Sequence, residues 1–182
     1  MKIDQVLKEL EATQQQFWNI SPEAGKFLYD LVKKCKSLQI LEIGSSNGYS
    51  TLWLAKAVLE NKQGCIITIE QDIQRAALAH QNFEKTGVQR FIDLKIGDAK
   101  QILMHLDQEF DFIFIDARKS EYLEYLKLIE KNIKKWGIVV ADNILYPYPQ
   151  KVRNYVEYMR TSGVFTSRLE NVGSGMEVSI KK

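Results

Sequence analysis

The 182-residue sequence has few cysteines and no long apolar run. Its two cysteines, Cys35 and Cys65, form no CxxC or related pattern, which argues against a disulfide framework and predicts two free thiols. No apolar run reaches the length that spans a membrane. The apolar residues between Ile3 and Phe17 have helical spacing among charges, which excludes the continuous apolar segment of a signal peptide. We therefore expect a cytoplasmic protein without a membrane partner.

Charge of one sign is not concentrated in the sequence either. The formal net charge is +2, and lysines gather mainly at two predicted helix ends, where the helix dipole favours them. A face for single-stranded nucleic acid would show clustered basic residues with aromatic residues among them. RNA is not excluded as a partner, but the sequence gives it little support.

The 45% hydrophobic content is enough for one well-buried core. The length of 182 residues is too short for two domains of ordinary size. We expect a single domain over residues 1–182, with N-terminal helices over 1–36 and the core over 37–182. The apolar pattern predicts strands at 38–43, 65–70, 91–96, 110–115 and 137–141, and helices at 3–17, 21–35, 50–60, 73–86, 99–106, 120–131 and 150–161. This alternation is typical of an α/β fold with a doubly wound parallel sheet. The segments 165–169 and 176–180 predict a hairpin that closes one sheet edge.

The stretch from Leu41 to Ser50 joins a short apolar strand to a helix through a turn bracketed by Gly44 and Gly48. Glycine permits backbone conformations closed to other residues and lets a ligand approach a helix N-terminus. The spacing Glu-x-Gly-x-x-x-Gly, which starts at Glu42, differs from the Gly-x-Gly-x-x-Gly of dinucleotide-binding proteins. It disfavours an NAD-linked oxidoreductase and favours a ligand without phosphate, so we expect S-adenosylmethionine. Glycine also occurs in ordinary strand-to-helix turns.

Two acidic residues at later strand ends strengthen the prediction of an adenosine-containing ligand. Glu70 ends the second predicted strand, where an acid in a doubly wound sheet accepts hydrogen bonds from ribose hydroxyls. Asp98, between Gly97 and Ala99, follows the third strand and is placed to accept from the adenine amino group. The alternative for Asp98 is an N-cap of the helix that begins at Ala99. Both roles are compatible.

A second group of polar residues follows the fourth and fifth predicted strands. Asp116 ends one of them, and Asp142 and Asn143 end the next. If the strands are neighbours, two carboxylates and an amide oxygen converge, and a hard divalent cation removes the repulsion between the charges. Mg²⁺ fits best, Mn²⁺ or Ca²⁺ also fit, and zinc is disfavoured without His or Cys nearby. The alternative is that Asp116 caps a helix, that Asp142 and Asn143 form a turn and that the nearby Lys119 is merely solvated.

Together these residues resemble the metal-dependent, S-adenosylmethionine-dependent O-methyltransferases that include catechol and caffeoyl-coenzyme A O-methyltransferases. The resemblance runs from about Ile20 to the C-terminus. It rests on the segments 41–50, 97–99, 110–119 and 140–143 and on Glu70. It implies a Rossmann-like sheet of seven strands, the last antiparallel. It also implies the following site residues: Glu42, Gly44, Ser50, Glu70 and Asp98 at the cofactor; Asp116, Asp142 and Asn143 at the metal; and Lys119 as general base. Gly48, Ala99 and Asp116 complete the cofactor site that we predict.

The sequence departs from the family pattern at several positions. Arg118 stands where many bacterial members have Asp, Trp136-Gly137 replaces a Gly-Gly pair, and Ser174 occupies a place where relatives often carry Asp. The chain is also shorter than usual after Asn143. These regions shape the acceptor pocket, so the cofactor and metal predictions are better supported than any particular substrate.

The predicted reaction is methyl transfer to a metal-chelated hydroxyl on a small aromatic acceptor of the catechol type. Trp18, Tyr146 and Tyr148 are candidates for the walls of the acceptor pocket, although such aromatics more often serve core or interface packing. Two alternatives are a methyltransferase for a hydroxylated base in tRNA and a module that binds an adenosine-containing ligand without catalysis. The open pocket and the resemblance also suggest a homodimer.

Overall fold

The computed structural model describes residues 2–182. Its strands are β1 (Gln39–Ile43), β2 (Cys65–Glu70), β3 (Ile92–Ile96), β4 (Phe110–Ile115), β5 (Ile133–Ala141), β6 (Phe165–Glu170) and β7 (Met176–Lys181). Its α-helices are α1 (Lys2–Glu11), α2 (Gln14–Phe17), α3 (Pro22–Cys35), α4 (Tyr49–Asn61), α5 (Ile73–Thr86), α6 (Ala99–Met104), α7 (Tyr122–Ile129) and α8 (Pro149–Thr161). Strands and helices alternate from β1 to α8, as the sequence predicts.

All seven strands form one sheet in the order β3-β2-β1-β4-β5-β7-β6. Every neighbouring pair from β3 to β5 is parallel, whereas β7 runs antiparallel to both β5 and β6. The predicted Rossmann-like sheet with an antiparallel last strand and a terminal hairpin is therefore confirmed. The order reverses between β1 and β4, and in such sheets ligands bind at the carboxyl ends of the strands near the reversal.

The sheet is buried on both faces because its central strands are almost entirely apolar. Ile40, Phe112 and Val140 pack with α1, α3, α4 and α5 on one face. On the other face, Leu41 and Ile113 pack with α6, α7 and α8. Alternate residues of the central strands thus pack into the two cores on opposite faces of the sheet. Polar side chains that could bind a ligand are therefore expected at the strand ends.

The predicted helix over residues 3–17 is interrupted. The first helix ends at Glu11, and the hydroxyl of Thr13 donates to the carbonyl oxygen of Leu10 at 2.8 Å. A threonine that bonds to a nearby carbonyl competes with the continuation of the helix, which explains the break before α2. At the start of α3, Ser21 accepts from the Ala24 N–H at 3.2 Å and Pro22 occupies the first turn, as predicted.

The fifth strand begins earlier than predicted, at Ile133 instead of Gly137, because it contains a bulge. Ile133 pairs with Phe110 and Ile138 pairs with Phe112, so the intervening residues of β5 loop out of the ladder. The predicted free thiols of Cys35 and Cys65 are confirmed. Within residues 2–182, no helix has the length and apolar character needed to cross a membrane.

Candidate active site

Three strand ends lie side by side at the carboxyl edge of the sheet. The Asp116 N–H donates to the Ile43 carbonyl at 2.9 Å, and the Asp142 N–H donates to the Ile115 carbonyl at 3.1 Å. These bonds continue the ladders of β1, β4 and β5 by one residue. The sequence hypothesis that the fourth and fifth strands are neighbours is thus confirmed, and Asp116 and Asp142 occupy adjacent positions.

Asp142 is a buried carboxylate with an unsatisfied oxygen. Its exposed fraction is 3%, and its Oδ1 atom has no hydrogen-bond partner among the described residues. Burial raises the pKa of Asp142 to about 7, and the charge of Asp116 adds to the increase. A buried oxygen of this kind is costly unless a proton or a cation neutralises it. The site therefore fits a divalent cation on electrostatic grounds.

Lys119 lies against the same pair of acids. Its Nζ donates to Asp116 Oδ1 at 2.5 Å, and it stands 5.5 Å from the centre of the Tyr122 ring. The side chains of Lys119 and Asp116 are only 20% and 14% exposed, so their ion pair is better shielded from solvent than an ordinary surface pair. The alternative of a merely solvated Lys119 does not hold. The predicted base and the predicted metal ligand are in direct contact.

Asn143 completes the predicted oxygen set from a strained backbone position. Its φ is 60°, in the left-handed region that asparagine tolerates better than most residues, and its Nδ2 donates to the Tyr146 carbonyl at 3.2 Å. This bond fixes the side-chain amide against the loop that follows. Over residues 2–182, no three His, Cys, Asp or Glu side chains form a metal-binding group. The predicted set has two carboxylates and one amide.

Glu42 points from β1 into the core between the sheet and α4, where three hydroxyl groups surround it. Its carboxylate accepts from Ser50 at 2.6 Å and also from Thr51 and Thr68. Burial raises the pKa of Glu42 to about 7, although the three hydrogen bonds oppose this increase. Thr68 is the direct cross-strand neighbour of Glu42. The predicted cofactor residues Glu42 and Ser50 are bonded to each other and stabilise the start of α4.

Both glycines of the loop are required by close packing within the protein. A Cβ atom on Gly44 would lie 2.3 Å from the Asp116 carbonyl oxygen, and one on Gly48 would lie 2.6 Å from Phe83 Cε1. Their φ angles of 100° and 86° also lie in the region that favours glycine. The sequence explained Gly48 by the approach of a ligand, but α5 occupies the space beside it. Gly44 thereby couples the loop to the backbone of Asp116.

Glu70 lies at the mouth of an open cleft next to this loop. The cleft has a volume of about 680 Å³ and is lined by Glu70, Gln71, Asp72, Ile73, Gln74, Arg75 and Arg118. The Glu70 carboxylate accepts from the Ser46 N–H at 2.7 Å and from the Asp72 N–H at 2.8 Å. Two backbone donors therefore hold it at the end of β2, with the exposed side chain of Ile73 beside it.

Asp98 is an N-cap, as the alternative interpretation predicts. Its Oδ1 accepts from the Gln101 N–H at 3.1 Å, and α6 begins at the next residue, Ala99. Asp98 is exposed, and the Gly97 N–H donates to the Glu70 carbonyl at 2.9 Å. The two predicted adenosine-binding acids thus end neighbouring strands.

Sequence reasoning missed two tyrosines beneath the site. Tyr122 and Tyr155 are fully buried, their rings meet edge to face at 5.7 Å, and neither hydroxyl has a hydrogen-bond partner among the described residues. Burial, followed by the charges of Asp116 and Asp142, raises the pKa of Tyr122 far above its usual value. The signal was available, because Tyr122 follows Lys119 by three residues and therefore lies near it at the start of a helix.

Comparison with known proteins gives a consistent assignment. Residues 2–161 match a family model described as O-methyltransferase. The chain is 39% identical over 131 residues to a catechol O-methyltransferase of Niastella koreensis, covering 70% of this chain and 58% of that protein. It is 34% identical over 170 residues to caffeoyl-CoA O-methyltransferase 1 of Zea mays, covering 85% of this chain and 65% of that protein. The chain thus spans less than two thirds of the length of either relative.

Solved structures agree with the sequence matches. The O-methyltransferase TomG from Streptomyces achromogenes, involved in tomaymycin synthesis and crystallised with S-adenosylmethionine, superposes with a TM-score of 0.87. It is 27% identical in sequence, and the match covers 97% of this chain and 89% of that one. The arrangement of strand ends therefore lies within a fold that this relative uses to hold S-adenosylmethionine.

Proposed function

Because the chain belongs to the O-methyltransferase family, we propose that it transfers a methyl group from S-adenosylmethionine to a hydroxyl oxygen of a small aromatic acceptor in a metal-assisted reaction. The family resemblance predicted from the sequence is confirmed. The observation that carries the metal-assisted part is Asp142, a buried carboxylate with an unsatisfied oxygen beside a second carboxylate.

The proposed cofactor site is the cleft beside Glu70. We assign the Glu70 carboxylate to the ribose hydroxyls, because the Ser46 and Asp72 N–H groups already fix its orientation. Ile73 and Arg118 are side chains of the cleft that can cover a flat base. Asp98 lies at the neighbouring strand end and is proposed to accept from the adenine amino group. The TomG relative was crystallised with S-adenosylmethionine, which supports the choice of this cofactor.

The proposed metal ligands are Asp116, Asp142 and Asn143, whose oxygen donors suit Mg²⁺. A bound divalent cation supplies Lewis acidity, which lowers the pKa of a coordinated phenol. A phenol with a pKa near 10 is only about 0.1% ionised at pH 7, and a decrease of about three units corresponds to roughly 4 kcal/mol. The protein contributes by holding two carboxylates and an amide on neighbouring strand ends, so that the acceptor oxygen has a fixed position.

Lys119 is the proposed general base. It lies beside the ligand set and is held by Asp116 Oδ1 and the face of Tyr122. To accept a proton, its amine must lose the one that it shares with Asp116. That proton would pass to solvent, which leaves the Asp116 carboxylate free to serve as a ligand. The proton of the acceptor hydroxyl would then move to Lys119 Nζ.

The loop after Asn143 and the turn before α3 supply the proposed acceptor walls. Trp18 is 81% exposed and Tyr146 70% exposed, so neither is an ordinary core residue. Tyr146 is tied to the site because its carbonyl accepts from Asn143 and its N–H donates to the Ser174 carbonyl. A flat ring placed between such aromatic side chains would present its hydroxyls to the predicted ligand set.

Methyl transfer to a panel of acceptors tests the proposal. The panel comprises catechol, a caffeoyl ester and bulk tRNA, each assayed with Mg²⁺ and with a chelator. We expect transfer to an aromatic diol, complete loss with the chelator and recovery when Mg²⁺ is restored. Transfer to tRNA alone would replace the acceptor with a hydroxylated base. Binding of S-adenosylmethionine with no transfer to any acceptor would favour the non-catalytic module.

A further inference from the structure

The bulge in β5 carries a tryptophan that the fold does not explain. Trp136 is 66% exposed, and its φ of 66° places it in the left-handed region. That conformation is unfavourable for any residue with a Cβ atom, and an exposed ring gains little from packing. A strained residue with a large exposed side chain is a candidate for contact with a partner.

The residues around Trp136 are cationic. Lys131 and Lys135 are exposed, and Lys134 is partly exposed. The Lys135 Nζ stands 5.3 Å from the centre of the Trp136 indole, so charge and aromatic surface are presented together. The sequence showed these lysines only as part of a predicted helix end. Lys134 and Lys135 instead lie in the bulge of β5, and Lys131 lies in the short 3₁₀ turn that precedes this strand.

The end of α3 extends this positive surface. Lys134 lies 3.6 Å from the Asp111 carboxylate, which also accepts from the N–H groups of Leu38 and Gln39 at 3.0 Å. Asp111 thereby joins the β5 bulge to the segment that follows α3. Lys34, in the last turn of α3, and Lys36, just after it, are both exposed. We call this surface the basic edge; it comprises Lys34, Lys36, Leu38, Lys131, Lys134, Lys135 and Trp136. Asp111 pairs with Lys134 on this surface, and Glu130, which precedes Lys131, pairs with Lys127. The other lysines of the basic edge form no ion pair with an acid among the described residues, so positive charge is in excess there.

We propose that the basic edge binds single-stranded RNA, with Trp136 stacking on a base and the lysines contacting phosphates. An exposed aromatic ring among lysines is the combination that single strands use, because every base offers a flat face and every phosphate a charge. Docking on a membrane would need a broader apolar surface than one indole and the partly exposed Leu38. An acidic protein would use the lysines but would not require the strained tryptophan.

This surface is separate from the candidate active site. Trp136 lies in the bulge before the regularly paired part of β5, whereas Asp142 follows the last residue of that strand. The regular part from Ile138 to Asp142 alone spans about 13 Å at the usual rise of a strand. RNA bound at the basic edge therefore does not need to supply the methyl acceptor. The proposal stands or falls independently of the methyl-transfer reaction.

Fluorescence anisotropy with a labelled 12-nucleotide oligouridylate tests the proposal at low salt. We expect the unmodified chain to bind and Trp136→Gly to weaken binding roughly 5- to 100-fold, the range for loss of one stacking platform. Glycine suits the left-handed backbone, so this variant should not lower the melting temperature. Its affinity for S-adenosylhomocysteine should also be unchanged, which separates loss of RNA binding from misfolding.

A pair of lysine variants measures the electrostatic contribution. Lys134→Ala combined with Lys135→Ala should weaken binding and reduce the slope of log affinity against log salt by about 1.4, the value for two single-strand phosphate contacts. Lys8→Ala combined with Lys85→Ala removes the same charge from exposed positions on α1 and α5, and should change neither quantity. The proposal is wrong if the unmodified chain does not bind the oligonucleotide, if Trp136→Gly binds equally well, or if the control pair has the same effect. Capture by phosphatidylserine vesicles in place of the oligonucleotide would also overturn it.

Discussion

The carbonyl oxygen of Asp116 lies so close to Gly44 that a Cβ atom on residue 44 would stand 2.3 Å from it. This contact joins the predicted cofactor loop to a predicted metal ligand. The backbones of the two halves of the candidate site are therefore in direct contact. A side chain added at Gly44 would displace the backbone of Asp116.

We expect Gly44→Ala to lower the free energy of unfolding by about 2 to 4 kcal/mol, combining backbone strain with a steric clash. It should also weaken the affinity for S-adenosylhomocysteine. Gly87→Ala is the matched control, because Gly87 has a φ of 75° but open space around its Cβ position. Urea unfolding of both variants separates strain from clash. Equal losses in the two variants would show that the contact with Asp116 carries no special cost.

A pH-dependent contribution to stability is expected from Glu42. Its pKa is raised from the ordinary 4.5 to about 7. Below pH 4.5 the carboxyl is protonated in both states; between pH 4.5 and 7 the unfolded chain releases the proton while the folded chain retains it, so stability falls as pH rises. Above pH 7 the loss levels off at about 3 kcal/mol.

The variant Glu42→Gln cannot ionise and should lack this loss. Its unfolding free energy relative to the unmodified chain should therefore increase between pH 5 and pH 8, by an amount on the order of 3 kcal/mol. Chemical denaturation at the two pH values measures the difference. A constant difference would mean that Glu42 is ionised in the folded protein throughout this range.

Removing Asp142 separates metal dependence from cofactor binding. Asp142→Ala should abolish Mg²⁺-dependent methyl transfer, because it deletes the buried ligand, while the affinity for S-adenosylhomocysteine changes by less than about threefold. Asp107→Ala removes an exposed carboxylate and is the control. Full Mg²⁺-dependent activity in the Asp142 variant would rule out its role as a ligand.

Lys119→Met tests the proposed base. We expect kcat to fall by roughly 10² to 10⁴, the usual contribution of general acid–base catalysis, with cofactor affinity retained. Lys95→Met, at an exposed ion pair with Asp93, should leave kcat unchanged. Steady-state kinetics from pH 6 to 9 would show the loss. A decrease of less than threefold would assign Lys119 to structural neutralisation of Asp116 alone.

Much of the fold could be predicted because strand-to-helix alternation and apolar runs are local signals. The adjacent positions of Asp116 and Asp142 could also be predicted, because the carboxyl ends of parallel strands lie at one edge of the sheet. The bulge before Gly137 could not be predicted, because it depends on the register between β4 and β5. The contact between Glu42 and Thr68 could not be predicted either, because it depends on the pairing of β1 with β2.

The explanation of the glycines shows a second limit of the sequence. The positive φ angles of Gly44 and Gly48 confirm that both positions favour glycine, whereas their role in cofactor binding stays a prediction. The space beside Gly48 is filled by Phe83, a residue of a helix distant in sequence. Packing between elements decides such details, and a single sequence does not specify which residue fills a given space.

Calorimetric titration with S-adenosylhomocysteine tests the central claim most directly, because every proposed step requires the cofactor to bind beside Glu70. We predict saturable binding of one molecule per chain, weakened at least tenfold by Glu70→Ala and unaffected by Glu109→Ala, an exposed acid at the opposite edge. Absence of binding by the unmodified chain would contradict the proposed cofactor site and the methyl-transfer function that depends on it.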